Sequence, residues 1–211
     1  QRSIRAYEIK NYTKISICMS EYFDGKILVA PPKMGDWRFA KTVLYIWKHD
    51  VSGAAGVIVN KQMGAPSFKR ICSETKINKL PNVNPLMYYG GPVMDNLIGV
   101  LHTIDYTLAS TNFKKKTKIG YTLDKKIIED IAIGKAKPEL YHVCMGMATW
   151  DAGQLEEEMA CEPPRKPGSA WLTLNYDPKL VFADDKEGLW EECLNRAIRE
   201  KTSTFTNKIF T

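Results

Sequence analysis

The 211-residue sequence predicts an α+β domain, and three observations carry that prediction. Short runs rich in β-branched and aromatic residues recur at hairpin spacing, not in strict alternation with helices. Residues 124–133 have clear helical periodicity, with Ile127, Ile128 and Ile131 on one face, Lys125, Lys126, Glu129 and Asp130 on the other, and Gly134 as the stop. Residues 141–158 (YHVCMGMATWDAGQLEEE) couple an apolar strand to a capped acidic helix, and the remaining elements can be arranged around them.

In chain order, residues 1–24 read as an irregular extension with one strand at 14–19. They lack the apolar stretch and small-residue cleavage site of a secretory signal. Residues 26–30 (KILVA) form the first core strand, stopped by Pro31-Pro32 and followed by a turn at Gly35-Asp36. A single helical turn over 38–42 leads to strands at 43–47 and 56–60. The intervening HDVSG has the length and turn chemistry of a hairpin connection, which predicts an antiparallel pair buried on both faces. Residues 67–75 predict a helix, and 80–85 a proline-bounded loop.

Strands at 86–89 and 99–102 are joined by GGPVMDNLI. Gly90-Gly91-Pro92 can take backbone shapes closed to other residues, either to let a ligand reach the backbone or to make a tight crossover. Residues 106–121 are strand-like and lysine-rich, and the helix at 124–133 follows. In the strand at 141–149, Gly146 marks a place where another backbone or a ligand comes close. Asp151 as N-cap and Gln154 three residues on compose a capping box opening a helix through Met159, with Trp150 at the hinge. The free N–H groups there either bind an anion or are satisfied by their own cap. After a loop at 162–169, strands at 171–176 and 180–182 flank the turn Asp177-Pro178. A helix at 189–199 closes the core with Leu189, Trp190, Cys193, Leu194, Ala197 and Ile198 inward and an outer Glu192–Arg196 pair. Residues 202–211 read as a polar tail, so the organisation is an extension at 1–24, a domain at 25–200 and a tail at 201–211.

Composition narrows the function. Hydrophobic content of 44% with 26% charged residues is that of a folded globular chain. No apolar run reaches the roughly 20 residues of a membrane helix, so no membrane partner is expected. Net charge is +6, and the basic residues gather at Lys114, Lys115, Lys116 and Lys118, then Lys125 and Lys126, with Phe113 and Tyr121 as stacking partners. That cluster is either a polyanion patch or a solvated hairpin tip. Five cysteines without a CxxC pair form neither a zinc site nor a disulfide framework, and point to a reducing compartment. Cys144 and Cys193 read as core residues, Cys161 as exposed.

The three histidines, His49, His102 and His142, show no HxH or HxxxH spacing, so no metal site is expected. His49 stands beside Asp50 as an oriented base or a hairpin-end pair; His102 ends a strand; His142 lies among core residues. No GxSxG, Walker or GxGxxG motif is present. No catalytic residues and no cofactor are expected, and the sequence reads as non-enzymatic.

The segment GMATWDAGQLEEEM at 146–159 resembles the GYAGWGPGQLE-type signature of the YqgE/AlgH family of small bacterial proteins. Segments 25–50, 52–63, 88–102 and 169–182 resemble the same family in the same order, so the likeness spans about residues 25–200. The resemblance implies a mixed, largely antiparallel sheet or barrel flanked by helices. It also singles out a family pocket or surface at Arg38, Thr42, His49, Asn60, Gly90, Gly91, Pro92, His102, Trp150, Gln154 and Leu155. The chain departs from the signature at Met147, Thr149, Asp151 and Ala152, where bulkier side chains and a carboxylate are expected to fill or repel what a family pocket would hold. The function implied is protein–protein binding in the cytoplasm with a regulatory outcome, transcriptional regulation among them. One alternative is a structural, self-assembling part of a larger particle such as a phage virion, with the terminal extensions as contacts. A second is a nucleic-acid-binding regulator working through residues 114–126. A third is an enzyme whose pocket joins His49 or His102 to Arg38 or Asn60.

Overall fold

The computed structural model describes residues 22–75, 77, 81–134, 137–160, 168–183 and 186–209, with side chains of the last helix described through residue 202. The strand read at 14–19, Cys18, Cys161 and most of the loop at 162–169 lie outside the described residues.

Alternating apolar residues give each strand two buried faces. In β1 (Lys26–Val29), Ile27 and Val29 join one core and Leu28 another. In β2 (Val43–Asp50), Val43 and Tyr45 share the first core, Leu44 and Ile46 the second. β3 (Gly53–Ile58) is buried at every position. Burying one such aliphatic side chain contributes about 2 kcal/mol, which makes these strands the stable centre of the molecule.

The sheet runs β10-β1-β2-β3-β9-β6-β8-β7, with β6 at Val93–Thr103, β7 at Asn112–Lys114, β8 at Ile119–Thr122, β9 at Tyr141–Trp150 and β10 at Leu172–Asn175. The pairs along that order are antiparallel. β4 (Gln62–Met63) pairs with β5 (Met87–Tyr89), which runs parallel to β9. The sheet curls: Trp47 in the middle of β2 stacks on Tyr121 of β8 at 4.8 Å, and the Tyr45 hydroxyl lies 2.9 Å from Thr117 Oγ1, although three strands separate β2 from β8 in the order. The first core fills this half-barrel. α4 (Pro178–Val181) and α5 (Leu189–Ile209) cap it through Leu180, Val181, Leu189, Trp190 and Cys193. α1 (Phe68–Glu74) and α2 (Lys125–Ile133) cover β6 and β9 from outside, with Phe68, Ile127, Ile128 and Ile131 buried against Val100 and Val143. α3 (Gln154–Ala160) packs Leu155 beneath β3 and the end of β9. The expected α+β class and barrel-like antiparallel sheet are therefore the observed ones.

Gly146 sits in the middle of β9 with φ +73°. Before it, Cys144 points into the barrel and Val143 out; after it, Met147 points in and Ala148 out. One left-handed residue has shifted the pleat by one. The facing strand makes room: Val93 pairs with Met147 and Ile98 with Met145, so residues 94–97 bulge out of the ladder.

Several elements differ from the sequence reading. Residues 180–182 belong to a helical turn, not a strand: the Asp177 carboxylate accepts from Lys179 N at 3.0 Å and Pro178 occupies the first turn, a combination that starts helices. β2 and β3 extend through HDVSG, leaving only Val51-Ser52 as the turn. GGPVMDNLI is mostly part of β6, not a connecting loop. α5 continues through the stretch read as a tail, to Ile209. On it Ile198 faces solvent, and Arg196 pairs with Asp177 at 2.8 Å and Glu200 at 3.1 Å, not with Glu192.

Candidate functional site

The segment between β1 and β2 is a fixed ledge. Asp36 Oδ1 accepts from Arg38 N at 3.0 Å and starts a 3-10 turn at Trp37–Phe39. The same carboxylate grips the Arg38 guanidinium at 2.6 Å, and that bond holds the Asp36 carboxyl below its usual range. Thr42 Oγ1 donates to the Phe39 carbonyl at 2.8 Å. Asn60 closes the turn: its Oδ1 accepts from Val43 N at 2.8 Å, and its Nδ2 donates to the carbonyl of Lys41, which has a left-handed φ of +54°. Lys61 Nζ donates to the Arg38 carbonyl at 3.1 Å. Arg38, Thr42 and Asn60 are thus brought together as the frame of one turn. Trp37 stands on that turn with 82% of its surface exposed.

Behind the ledge lies a cleft of about 420 Å³. Phe39 stacks on Trp150 at 6.4 Å and meets Trp171 edge-on at 5.6 Å. Both indoles donate to one oxygen of Glu158, Trp150 at 3.0 Å and Trp171 at 2.8 Å, and Gln154 Nε2 lies 3.3 Å from the other. Gln154 Oε1 accepts from Asp151 N at 2.9 Å, so its half of the expected capping box is made. The helix, however, begins at Gln154, later than expected. The N–H at that corner is satisfied by its own chain.

Gly90 and Gly91 approach β9, not an open space. A Cβ on Gly90 would meet the Gly146 carbonyl oxygen at 2.2 Å, and one on Gly91 the Met147 carbonyl carbon at 2.3 Å. Of the two readings of Gly90-Gly91-Pro92, the tight crossover is the observed one. Met147, the bulky departure from the signature, is buried inside the barrel, whereas Thr149, Asp151 and Ala152 are exposed.

Each histidine is buried and bonded. His49 Nδ1 accepts from Phe23 N at 2.8 Å and Nε2 lies 3.1 Å from Glu156, not beside Asp50, which caps Ser52. His102 bonds the Thr103 carbonyl and Thr122 hydroxyl, each at 2.8 Å, and burial pushes its pKa down. His142 Nε2 lies 2.9 Å from the Val181 carbonyl and 3.1 Å from Lys186 Nζ; burial and that ammonium push its pKa to about 3. Neither His49 nor His102 lines the cleft behind the ledge or the one lined by Lys114, Lys115 and Lys116. Among the described residues no group of His, Cys, Asp and Glu could hold a metal ion. Cys72, Cys144 and Cys193 are free and buried, and burial raises each thiol pKa.

The lysine cluster is divided. Lys125 and Lys126 lie on α2 and pair with Glu129 and Asp130. Lys114, Lys115 and Lys116 line a second cleft, together with Lys26, Asn175 and Tyr176 from distant parts of the sequence. Tyr121 is buried against Trp47 and presents no stacking face; Phe113 is half exposed.

Comparison with known proteins points one way. A family model described as AlgH-like matches residues 27–201. A protein of Bradyrhizobium sp. (strain BTAi1) described as a UPF0301 protein is 34% identical over 183 residues, covering 83% of this chain and 81% of its own length. A UPF0301 protein of Methylococcus capsulatus is 34% identical over 174 residues, 82% of this chain and 90% of its own. The solution structure of the AlgH protein from Pseudomonas aeruginosa superposes with a TM-score of 0.63 at 30% identity, over 78% of this chain and 84% of that one. A crystal structure of a Corynebacterium diphtheriae protein, 20% identical with a TM-score of 0.61, shares the fold over 84% of this chain and 88% of its own.

Proposed function

The chain belongs to the AlgH-like family, and on that premise we propose that it acts by binding a protein partner, with a regulatory outcome, through the ledge that carries Trp37 and Arg38. The observation that carries this reading is Trp37 itself: an indole left 82% exposed on a turn that Asp36, Thr42 and Asn60 hold rigid. Tryptophan and arginine on a preorganised surface are the residues that dominate binding energy when a partner covers them, because little conformational freedom is then lost. The histidines support the same side of the choice, since each already bonds within the fold. No helix among the described residues is long and apolar enough to cross a membrane. Free cysteines at 72, 144 and 193 suit a cytoplasmic setting.

The test is affinity capture from the source cells, followed by titration of each purified candidate against the wild type, Trp37→Ala and Arg38→Ala. A partner with micromolar affinity that weakens at least about tenfold on Trp37→Ala supports the proposal. A partner indifferent to both substitutions, or none at micromolar affinity, overturns it.

A further inference from the structure

We propose that the cleft between the start of β1, the β7–β8 turn and the end of β10 binds the polyphosphate portion of a small molecule. This site is separate from the Trp37 ledge and does not rest on the function proposed above. The cleft has a volume of about 610 Å³, within the range of sites that enclose a nucleotide-sized ligand. Four lysines line it: Lys26 from β1 and Lys114, Lys115 and Lys116 from the hairpin turn, against one carboxylate, Asp24. Asp24 already holds Lys114 at 2.7 Å, and Lys26 Nζ donates to Asn175 Oδ1 at 2.9 Å. Lys115 and Lys116 have no ion pair among the described residues, and both are exposed.

The turn carrying these charges is fixed. Thr117 Oγ1 lies 2.9 Å from the buried Tyr45 hydroxyl, Lys118 N donates to the Lys114 carbonyl at 3.0 Å, and Gly25 N donates to the Ile46 carbonyl at 2.7 Å. The fold therefore gathers four lysines along one cleft, and a surplus of positive charge there favours an anion. Tyr176 adds a ring to the wall and a hydroxyl that stays protonated, burial pushing its pKa up to about 12. A phosphate chain matches this lining: several negative charges in a short length, with acceptor oxygens for each ammonium.

The same geometry argues for a compact ligand over a nucleic-acid strand. A strand needs a cationic track along which successive phosphates can lie. Here the next lysines along the chain, Lys125 and Lys126, are neutralised by Glu129 and Asp130 on α2.

The experiment titrates the full chain with inorganic triphosphate, adenosine triphosphate and a single-stranded RNA oligonucleotide by calorimetry, at two salt concentrations. Saturable one-to-one binding of triphosphate is expected. It should weaken at least about tenfold in K115E/K116E and tighten a few-fold in D24N, which removes the competing carboxylate. K125E/K126E and Trp37→Ala should leave it within about twofold. Equal affinity for the two triphosphates assigns the phosphate chain alone; tighter binding of the nucleotide adds its base against Tyr176. Thermal melting confirms that the surface variants are folded. No saturation by about 10 mM triphosphate overturns the proposal, as does equal weakening in K125E/K126E. RNA binding that exceeds triphosphate binding and depends on all these lysines also overturns it.

Discussion

The two clefts are similar in size, about 420 and 610 Å³, and opposite in construction. At the aromatic cleft the polar groups are used by the fold. Glu158 takes both indole N–H groups, Asp36 holds Arg38, and Asn60 closes its turn. At the lysine cleft, like charges are brought together and two of them are left without a counter-ion among the described residues. A satisfied network makes a rigid platform whose residues are needed for stability. An unbalanced one contributes nothing to folding and is available to a ligand. Burial and proximity look alike in both places; the distinction lies in whether each donor and charge already has a partner.

That distinction can be broken most forcefully behind the aromatic cleft. Gly91→Ala places a methyl group against the Met147 backbone at a φ of +151°, and should cost more than about 3 kcal/mol in chemical denaturation or prevent folding. Unchanged stability would mean that the β9 seam is not held as described.

Acidification should act on the other half of the sheet. His102 and His142 lie on adjacent strands, β6 and β9, and both have pKa values pushed below the usual 6.5. Groups held neutral in the folded state give their full stability above the unfolded pKa and lose it as pH falls below. The loss should therefore begin near pH 6.5 and, for His142, continue toward about 3. By pH 4 it should approach about 3 kcal/mol, measured by melting across pH, and His142→Asn should flatten that limb.

Glu158→Ala comes next. It leaves two indole donors without their acceptor, at a cost of about 2 kcal/mol, together with a change in tryptophan fluorescence. The smallest effects belong to exposed groups. Trp37→Ala and K115E/K116E should each move stability by less than about 0.5 kcal/mol while weakening their respective binding at least about tenfold. A large stability loss in K115E/K116E would erase the contrast between the clefts.

Much of this architecture is legible in the sequence where local patterns decide it. The isoleucines of α2 declare their face, and Gly146 announces a close approach. Errors arise where a tertiary partner decides. Leu180–Phe182 is apolar enough for a strand, yet the Asp177-Pro178 pair turns it into a helix. Residues 94–97 read as a loop because the ladder that binds their neighbours comes from β9, about fifty positions away. In the aromatic cleft, Arg38, Trp150 and Gln154 carry a local signal through motif resemblance. Glu158 and Trp171 lie within resembling segments but are not singled out there, since their bond spans thirteen positions. Trp37 could have been found as a large aromatic outside any apolar period. The lysine cleft is hidden for the same reason as the bulge: Lys26 and Asn175 meet residues 114–116 only after the sheet has curled.

β9 can be regarded as text read in two frames. Before Gly146 the even-numbered Cys144 points inside, and after it the odd-numbered Met147 does. A deletion of that single residue would restore an uninterrupted pleat and invert the meaning of everything downstream, turning Met147 outward and driving the neighbouring positions of the signature into the barrel. A substitution there alters one letter; a frameshift alters the sentence. Length at this point of the chain is consequently constrained as well as composition, and residues 94–97 of the facing strand are the matching insertion that keeps both frames aligned.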